Sequence, residues 1–119
     1  MPDGGLPEGV ARRLPPIRVH EVPQARGGST VWREAGDGPA LVLLHGGSGA
    51  WTHWVANIAA LSRRHRLLVP DMPGYGVSDG PPETVEEMAD EIARGIATLA
   101  APGETVALAG FSFGSLVAA

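Results

Sequence analysis

The chain has 119 residues, the length of one small domain, and its 44% hydrophobic and 18% charged residues are typical of a globular protein. A net charge of −4 gives no electrostatic reason to bind nucleic acid or an anionic membrane. The absence of cysteine excludes disulfide frameworks, thiolate metal sites and a cysteine nucleophile, and together with the lack of a secretory signal or a long apolar run it favours a cytoplasmic location.

The first part of the chain predicts a leader and a hairpin. Residues 1–16 are rich in proline and glycine and predict a loose leader before a domain of residues 17–119. Residues 17–22 alternate apolar and polar positions, which predicts a strand with one exposed face. Residues 29–34 alternate more weakly and predict its hairpin partner, across a turn near Gly27 and Gly28. We expect both strands to be edge strands.

Three later runs are apolar throughout or nearly so: residues 40–44, 67–69 and 105–111. Short apolar runs of this kind are typical of fully buried parallel strands. Two helical patterns lie between these runs, each with an apolar face. The apolar face of the first helical pattern contains Trp54, Val55, Ile58 and Leu61. The apolar face of the second contains Val85, Met88, Ile92, Ile96 and Leu99.

The second helical pattern has a predicted start at Thr84, which forms a capping box with Glu87, and a predicted end at Pro102 and Gly103. This order of elements predicts an α/β fold, a mostly parallel sheet with helices on both faces. In such sheets chemistry collects beyond the carboxyl ends of the strands, where residues 45–49, 71–79 and 110–114 fall.

The sequence Gly-Phe-Ser-Phe-Gly at residues 110–114 follows a strand pattern and precedes a helix-compatible run. A sharp strand-to-helix turn of this form exposes a serine hydroxyl on a strained corner, and it needs Gly110 and Gly114 because backbone crowds that corner. Ser112 is therefore a candidate nucleophile, with a helix N-cap as its alternative role. A second match to the same pattern, around Ser78, lies in a loop with no helix after it.

The glycine-rich loop at residues 45–49 is a candidate oxyanion hole. Attack by Ser112 would place negative charge on a substrate oxygen, which needs N–H donors about 3 Å away. Gly47 and Phe113, the residue after the nucleophile, are the candidate donors. The alternatives are a tight turn without chemistry and, less favoured because no Gly-Lys-Ser/Thr follows, a phosphate loop.

Polar residues near these loops predict structural roles. We expect His45 and Gly46 to stabilise the glycine-rich loop through hydrogen bonds. We expect the side chains of Asp71 and Ser78 to form hydrogen bonds with nearby backbone groups and so to fix the loop after residue 70. His20, His53 and His65 are assigned to surface or helix positions, and no spacing of ligand residues predicts a metal site. Trp51 and Trp54 could line an acyl pocket or pack in the core.

Taken in order, the motifs His-Gly-Gly-Ser-Gly, Asp-Met-Pro-Gly-Tyr-Gly-Val-Ser-Asp and Gly-Phe-Ser-Phe-Gly resemble the α/β-hydrolase fold superfamily from about Thr30 onward. The resemblance implies that Ser112 is the nucleophile and that the N–H groups of Gly47 and Phe113 form the oxyanion hole. It is similar above all to esterases, cofactor-free haloperoxidase-like enzymes and carbon–carbon bond hydrolases. The serine argues against epoxide hydrolases and haloalkane dehalogenases, which the family pattern equips with aspartate.

The family pattern places its acid and its histidine after the nucleophile, whereas no acidic residue or histidine follows Ser112 here. The resemblance therefore implies the N-terminal half of a hydrolase domain, ending inside the nucleophile helix. We expect the parent protein to be a serine hydrolase acting on a small-molecule ester, thioester or activated carbon–carbon bond, with no cofactor and no nucleic-acid or membrane partner. The alternatives are a non-catalytic fragment and a binding module on the same scaffold. We also expect the 119-residue chain alone to be inactive and poorly soluble.

Overall fold

A computed structural model, which describes residues 14–47 and 49–118, has five strands in one sheet. The strands are β1 (Arg18–Pro23), β2 (Ser29–Ala35), β3 (Ala40–Leu44), β4 (Arg66–Pro70) and β5 (Val106–Gly110). The helices are a 3-10 turn (Trp51–Trp54), α1 (Val55–Leu61), α2 (Val85–Leu99) and α3 (Phe113–Ala118). The predicted leader falls almost wholly outside the described residues, and of its last part Leu14 packs against the core.

The strand order is β1-β2-β4-β3-β5. Strand β3 lies parallel to both β4 and β5, whereas β1 with β2 and β2 with β4 are antiparallel. The predicted α/β fold is confirmed, and among the described strands the sheet is mixed, with two parallel and two antiparallel pairings.

The prediction that both hairpin strands are edge strands is wrong for β2. Strand β2 lies between β1 and β4, and six of its seven residues are buried. It alternates only weakly because both of its faces are covered, as expected for an inner strand. Strand β1 is an edge strand of the described sheet, and Val19 on it is 52% exposed.

For residues 105–111 we expect a buried strand that pairs on both sides in a complete sheet and has one open, apolar edge in this chain, and the described sheet has this open edge. Strand β5 pairs only with β3 and lies at the end of the sheet, so Ala107 and Leu108 are exposed. Its apolar residues therefore face solvent at an unpaired edge.

Helices cover both faces of the sheet, as predicted. Because successive strand residues point to opposite faces, Val42 and Leu44 pack with α2 and α3, while Leu43 packs with the 3-10 turn and α1. The two resulting clusters fix the strands that carry the candidate site.

Helix α2 begins where predicted and ends earlier. Thr84 accepts a hydrogen bond from the N–H of Glu87 at 3.1 Å, and the Glu87 carboxylate returns to the N–H of Glu83 at 3.0 Å. The helix ends at Leu99, since Ala100 turns to an extended conformation before the predicted Pro102–Gly103 stop.

Candidate active site

The parallel register brings two of the predicted loops together at one edge of the sheet. Leu44 at the end of β3 is paired with Gly110 at the end of β5, so the chain segments after these residues leave the sheet side by side. The N–H of Phe111 donates to the Leu44 carbonyl at 3.0 Å, which continues this contact past the strand ends. The glycine-rich loop and the candidate nucleophile turn are therefore neighbours.

Ser112 stands at the corner between β5 and α3. Its φ of 54° lies in the left-handed region, and among the described residues it is the only non-glycine residue with positive φ. A residue with a Cβ disfavours this conformation by about 1–2 kcal/mol, and residues held there cluster at functional sites. Ser112 is exposed, so its strained corner faces solvent.

The two glycines of this turn sit where no side chain fits. A Cβ on Gly110 would lie 2.5 Å from the backbone nitrogen of Ser115, and one on Gly114 would lie 2.3 Å from the Leu44 carbonyl oxygen. Helix α3 therefore begins in direct backbone contact with β3. This close approach is possible only without a Cβ.

The Gly46 carbonyl is held from inside the loop. It accepts a hydrogen bond from Nδ1 of His45 at 2.7 Å and another from the N–H of Gly49 at 3.2 Å. Because the peptide unit is planar and trans, the Gly47 N–H points opposite to the Gly46 carbonyl. Gly47 is exposed, and within the described part of the chain its N–H has no backbone acceptor.

His45 is fully buried and its proton position is set by its partners. Its Nε2 accepts the N–H of Met72 at 2.9 Å, so the ring proton is on Nδ1, which donates to Gly46. Burial lowers the pKa of His45 below its ordinary 6.5, against the opposing effects of the Gly46 carbonyl and of Asp71. The ring is therefore a neutral link between the glycine-rich loop and the segment after β4.

Asp71 links the segment after β4 to its surroundings. Its carboxylate accepts hydrogen bonds from the N–H of Trp51 at 2.8 Å and of Val77 at 3.1 Å, and it pairs with Arg33 at 2.7 Å in the buried interior. Ser78 in turn donates to the Asp71 carbonyl at 2.5 Å. The side chains of Asp71 and Ser78 thus both form hydrogen bonds with backbone groups.

His53 lies at an exposed helical position, as the sequence analysis expects, and it also contacts the glycine-rich loop. It is exposed in the 3-10 turn, and its Nδ1 accepts the N–H of Gly46 at 3.3 Å. Its ring meets that of Phe111 edge-on, with centroids 6.3 Å apart. The contact depends on how the loop folds back on the turn, for which no sequence spacing gives a signal.

A groove of about 390 Å³ opens beside the nucleophile turn, lined by His53, Trp54, Asn57 and Phe111. Phe111 is 60% exposed there, while Trp51 is 2% exposed and belongs to the core. A larger cavity of about 480 Å³ lies between the β1–β2 turn and α2, away from the strand ends that carry the motifs. The smaller groove is the one that the chemistry could use, because it adjoins Ser112.

The described residues bring no general base to Ser112: among them, no histidine or carboxylate is hydrogen-bonded to its hydroxyl. Nor do they contain a group of three or more histidine or carboxylate side chains placed to hold a metal ion. Of the helices in residues 14–47 and 49–118, none is both long and apolar enough to cross a bilayer.

Comparison with known sequences gives matches to hydrolases. Residues 41–119 match the model of the alpha/beta hydrolase family. The chain is 43% identical over 79 residues to bifunctional epoxide hydrolase 2 of Mus musculus, covering 66% of this chain and 12% of that protein. It is 40% identical over 90 residues to the pimeloyl-[acyl-carrier protein] methyl ester esterase of Vibrio campbellii, covering 73% of this chain and 32% of the esterase.

Comparison with solved structures gives the same kind of match. An epoxide hydrolase from Vigna radiata superposes with a TM-score of 0.75 at 30% identity, over 86% of this chain and 32% of that one. A hydrolase from Pseudomonas aeruginosa superposes with a TM-score of 0.76 at 25% identity, over 84% of this chain and 38% of that one. The chain thus spans between 12% and 38% of the length of these relatives.

Proposed function

The chain belongs to the alpha/beta hydrolase family, and on that premise we propose that the whole protein is a serine hydrolase with Ser112 as its nucleophile. One observation carries the proposal: a serine, not a glycine, occupies the left-handed corner between β5 and α3, with φ of 54°. A helix N-cap, the alternative role, normally has an extended backbone conformation and does not need this strain. A nucleophile role does account for the strain, because the strained turn presents the Ser112 hydroxyl to a substrate.

In the proposed reaction, the Ser112 oxygen attacks the carbonyl carbon of an ester or thioester. The carbonyl oxygen becomes negatively charged and is bound by the N–H groups of Gly47 and Phe113. Collapse of the tetrahedral intermediate breaks the bond to the alcohol or thiol, which leaves with the proton taken from serine, and an acyl-enzyme remains. Water then attacks the acyl carbon, and the acid is released as the serine regains its proton.

The remaining site residues have structural roles in this proposal. His45 and Gly46 set the direction of the Gly47 N–H, Gly110 and Gly114 allow the close packing of the turn, and Asp71 holds the neighbouring loop. Their support is the set of hydrogen bonds and backbone contacts at the strand ends.

The general base is proposed to come from a part of the whole protein other than the described residues. A serine hydroxyl is a weak nucleophile until a base takes its proton, and no histidine or carboxylate among residues 14–47 and 49–118 is bonded to Ser112. The 119-residue chain alone is accordingly proposed to be inactive.

Epoxide hydrolysis is a second candidate, because epoxide hydrolases are among the relatives. The chemistry of the nucleophile favours the first candidate. A carboxylate that opens an epoxide forms an ester, which water can hydrolyse, whereas a serine oxygen that opens an epoxide forms an ether, which has no carbonyl for water to attack. With serine at position 112, turnover is therefore expected on acyl substrates.

The proposal is tested by assaying the whole protein with p-nitrophenyl acetate and, separately, with styrene oxide. We expect hydrolysis of the ester only, and a loss of about 10⁴-fold or more in kcat for Ser112→Ala. Ser62→Ala, at the end of α1, removes a serine outside the site and is the matched control. Unchanged ester hydrolysis in the Ser112→Ala variant, or turnover of the epoxide alone, would overturn the proposal.

A further inference from the structure

Gly46 is held on both sides by histidines. Its carbonyl accepts from Nδ1 of His45 at 2.7 Å, and its N–H donates to Nδ1 of His53 at 3.3 Å. A glycine has access to a much wider range of φ and ψ than other residues, so an unrestrained peptide at this position could rotate at little cost. Two hydrogen bonds on consecutive peptide groups remove that freedom.

We infer that His53 is a positioning residue for the oxyanion hole. By accepting the Gly46 N–H it fixes the peptide before Gly46, and this restricts the next peptide, whose N–H belongs to Gly47. The inference rests on the proposed function, because the Gly47 N–H matters to a reaction only if Ser112 attacks a carbonyl group.

Packing of the His53 ring supports this role. The ring lies against Gly49, where a Cβ would come within 2.0 Å of its Cε1 atom. Gly49 also donates its N–H to the Gly46 carbonyl at 3.2 Å. The ring, the Gly46 N–H and the turn that closes on Gly46 are therefore one contact set, and a methyl group at position 49 would displace the ring from it.

The chemistry of the contact separates two substitutions. His53 acts here as a hydrogen-bond acceptor at Nδ1, so its proton in the neutral form is on Nε2. Asparagine carries an amide oxygen at a similar distance along the side chain and can accept the same N–H. Leucine has a comparable size and no acceptor, which leaves the Gly46 N–H without a partner.

The test measures kcat and KM of the whole protein on an ester substrate for His53→Leu and His53→Asn. Loss of a complete oxyanion donor lowers kcat about 10²–10³-fold. A donor that points in the wrong direction should give a smaller fall in kcat than a donor that is lost. We therefore expect kcat of His53→Leu to fall about tenfold or more, with KM unchanged within about twofold. His53→Asn should recover most of kcat. His65→Leu makes the same substitution at a half-buried histidine in the turn after α1, outside the groove, and as the control it should leave kcat unchanged.

A second variant makes the test independent of whether His53→Leu folds. Gly49→Ala should lower kcat through displacement of the ring, and adding it to His53→Leu should cost little more, because the contact is already lost. Full kcat in His53→Leu or in Gly49→Ala would overturn the inference, as would equal losses in the leucine and asparagine variants. Ser112→Ala separates the two proposals: if it retains activity, the proposed function fails, and if it alone is inactive, only the inference fails.

Discussion

At the scale of single residues, the molecule accepts strain and crowding where the proposed chemistry would take place. Ser112 has a left-handed backbone, and Gly110 and Gly114 bring helix α3 into backbone contact with its neighbours. A glycine at position 112 would be less strained, since it adopts positive φ without a steric cost. A serine at this corner is consistent with its proposed role as the nucleophile, for which a hydroxyl group is required.

His45 links pH to stability at the same scale. Burial holds the pKa of His45 in the native protein below 6.5, its ordinary value. At pH values between the native pKa and 6.5, the unfolded chain therefore binds a proton that the native ring does not. The free energy of unfolding should therefore fall as the pH drops below 6.5, by at most about 1.4 kcal/mol per pH unit, and level off once native His45 is also protonated.

Urea unfolding of the whole protein between pH 5 and pH 7.5 measures this effect. His45→Gln keeps a side-chain acceptor near the Met72 N–H and removes the titrating group, so the component of the slope due to His45 should disappear. His65→Gln changes a half-buried histidine in the turn after α1; it is the control and should keep this component of the slope. An unchanged slope in His45→Gln would show that the buried ring is not the source. Burial raises the pKa of Glu34, but hydrogen bonds from Arg66 and His20 outweigh it and hold this pKa below 4.5. Titration of Glu34 therefore changes the free energy of unfolding only at lower pH values.

The sequence predicts the local part of the candidate site and misses the part made by folding. Gly110, Ser112 and Gly114 are identifiable because a strand-turn-helix pattern surrounds them. His53 is not identifiable, because its contact with Gly46 arises from the turn that brings residues 50–54 back over the loop. Periodicity describes the face of a helix and carries no information about such a contact.

At the scale of elements, apolar runs predict the strands and leave their neighbours undetermined. Residues 29–34 were predicted as an edge strand from weak alternation, yet β2 is an inner strand. Residues 105–111 have the composition of a buried strand, and β5 lies at the end of the described sheet with the open edge that we expect for this chain. Strand order depends on long-range pairing, which composition does not encode.

Strand β5 gives a prediction for the isolated chain. Leu108 is 45% exposed on a strand that pairs on one side only, and an unpaired apolar edge is a template for aggregation. Leu108→Lys should at least double the soluble fraction of the 119-residue polypeptide, measured by centrifugation after expression. Thr98→Lys, exposed on α2, adds the same charge away from the edge and should not. An equal gain in both variants, or a wild-type chain that is monomeric with a sharp melt, would contradict this account.

At the scale of the whole molecule, two apolar clusters on opposite faces of the sheet hold the strands in register. That register aligns the ends of β3 and β5, so the glycine-rich loop and the candidate nucleophile turn lie side by side, joined by the backbone hydrogen bond from Phe111 to Leu44. The described residues therefore contain the proposed nucleophile and the proposed N–H donors, and the proposed base belongs to another part of the whole protein. The groove beside Phe111 lies open next to this arrangement.

The most direct measurement is to treat the whole protein with a fluorophosphonate, which reacts covalently with activated serines, and to map the adduct by mass spectrometry of its peptides. The account predicts one adduct, on Ser112, that is absent from the Ser112→Ala variant. Ser78 lies in the second Gly-x-Ser-x-Gly sequence and donates to the Asp71 carbonyl, so it should remain unlabelled. An adduct on Ser78 or another residue, with Ser112 unmodified, would contradict the assignment of the nucleophile.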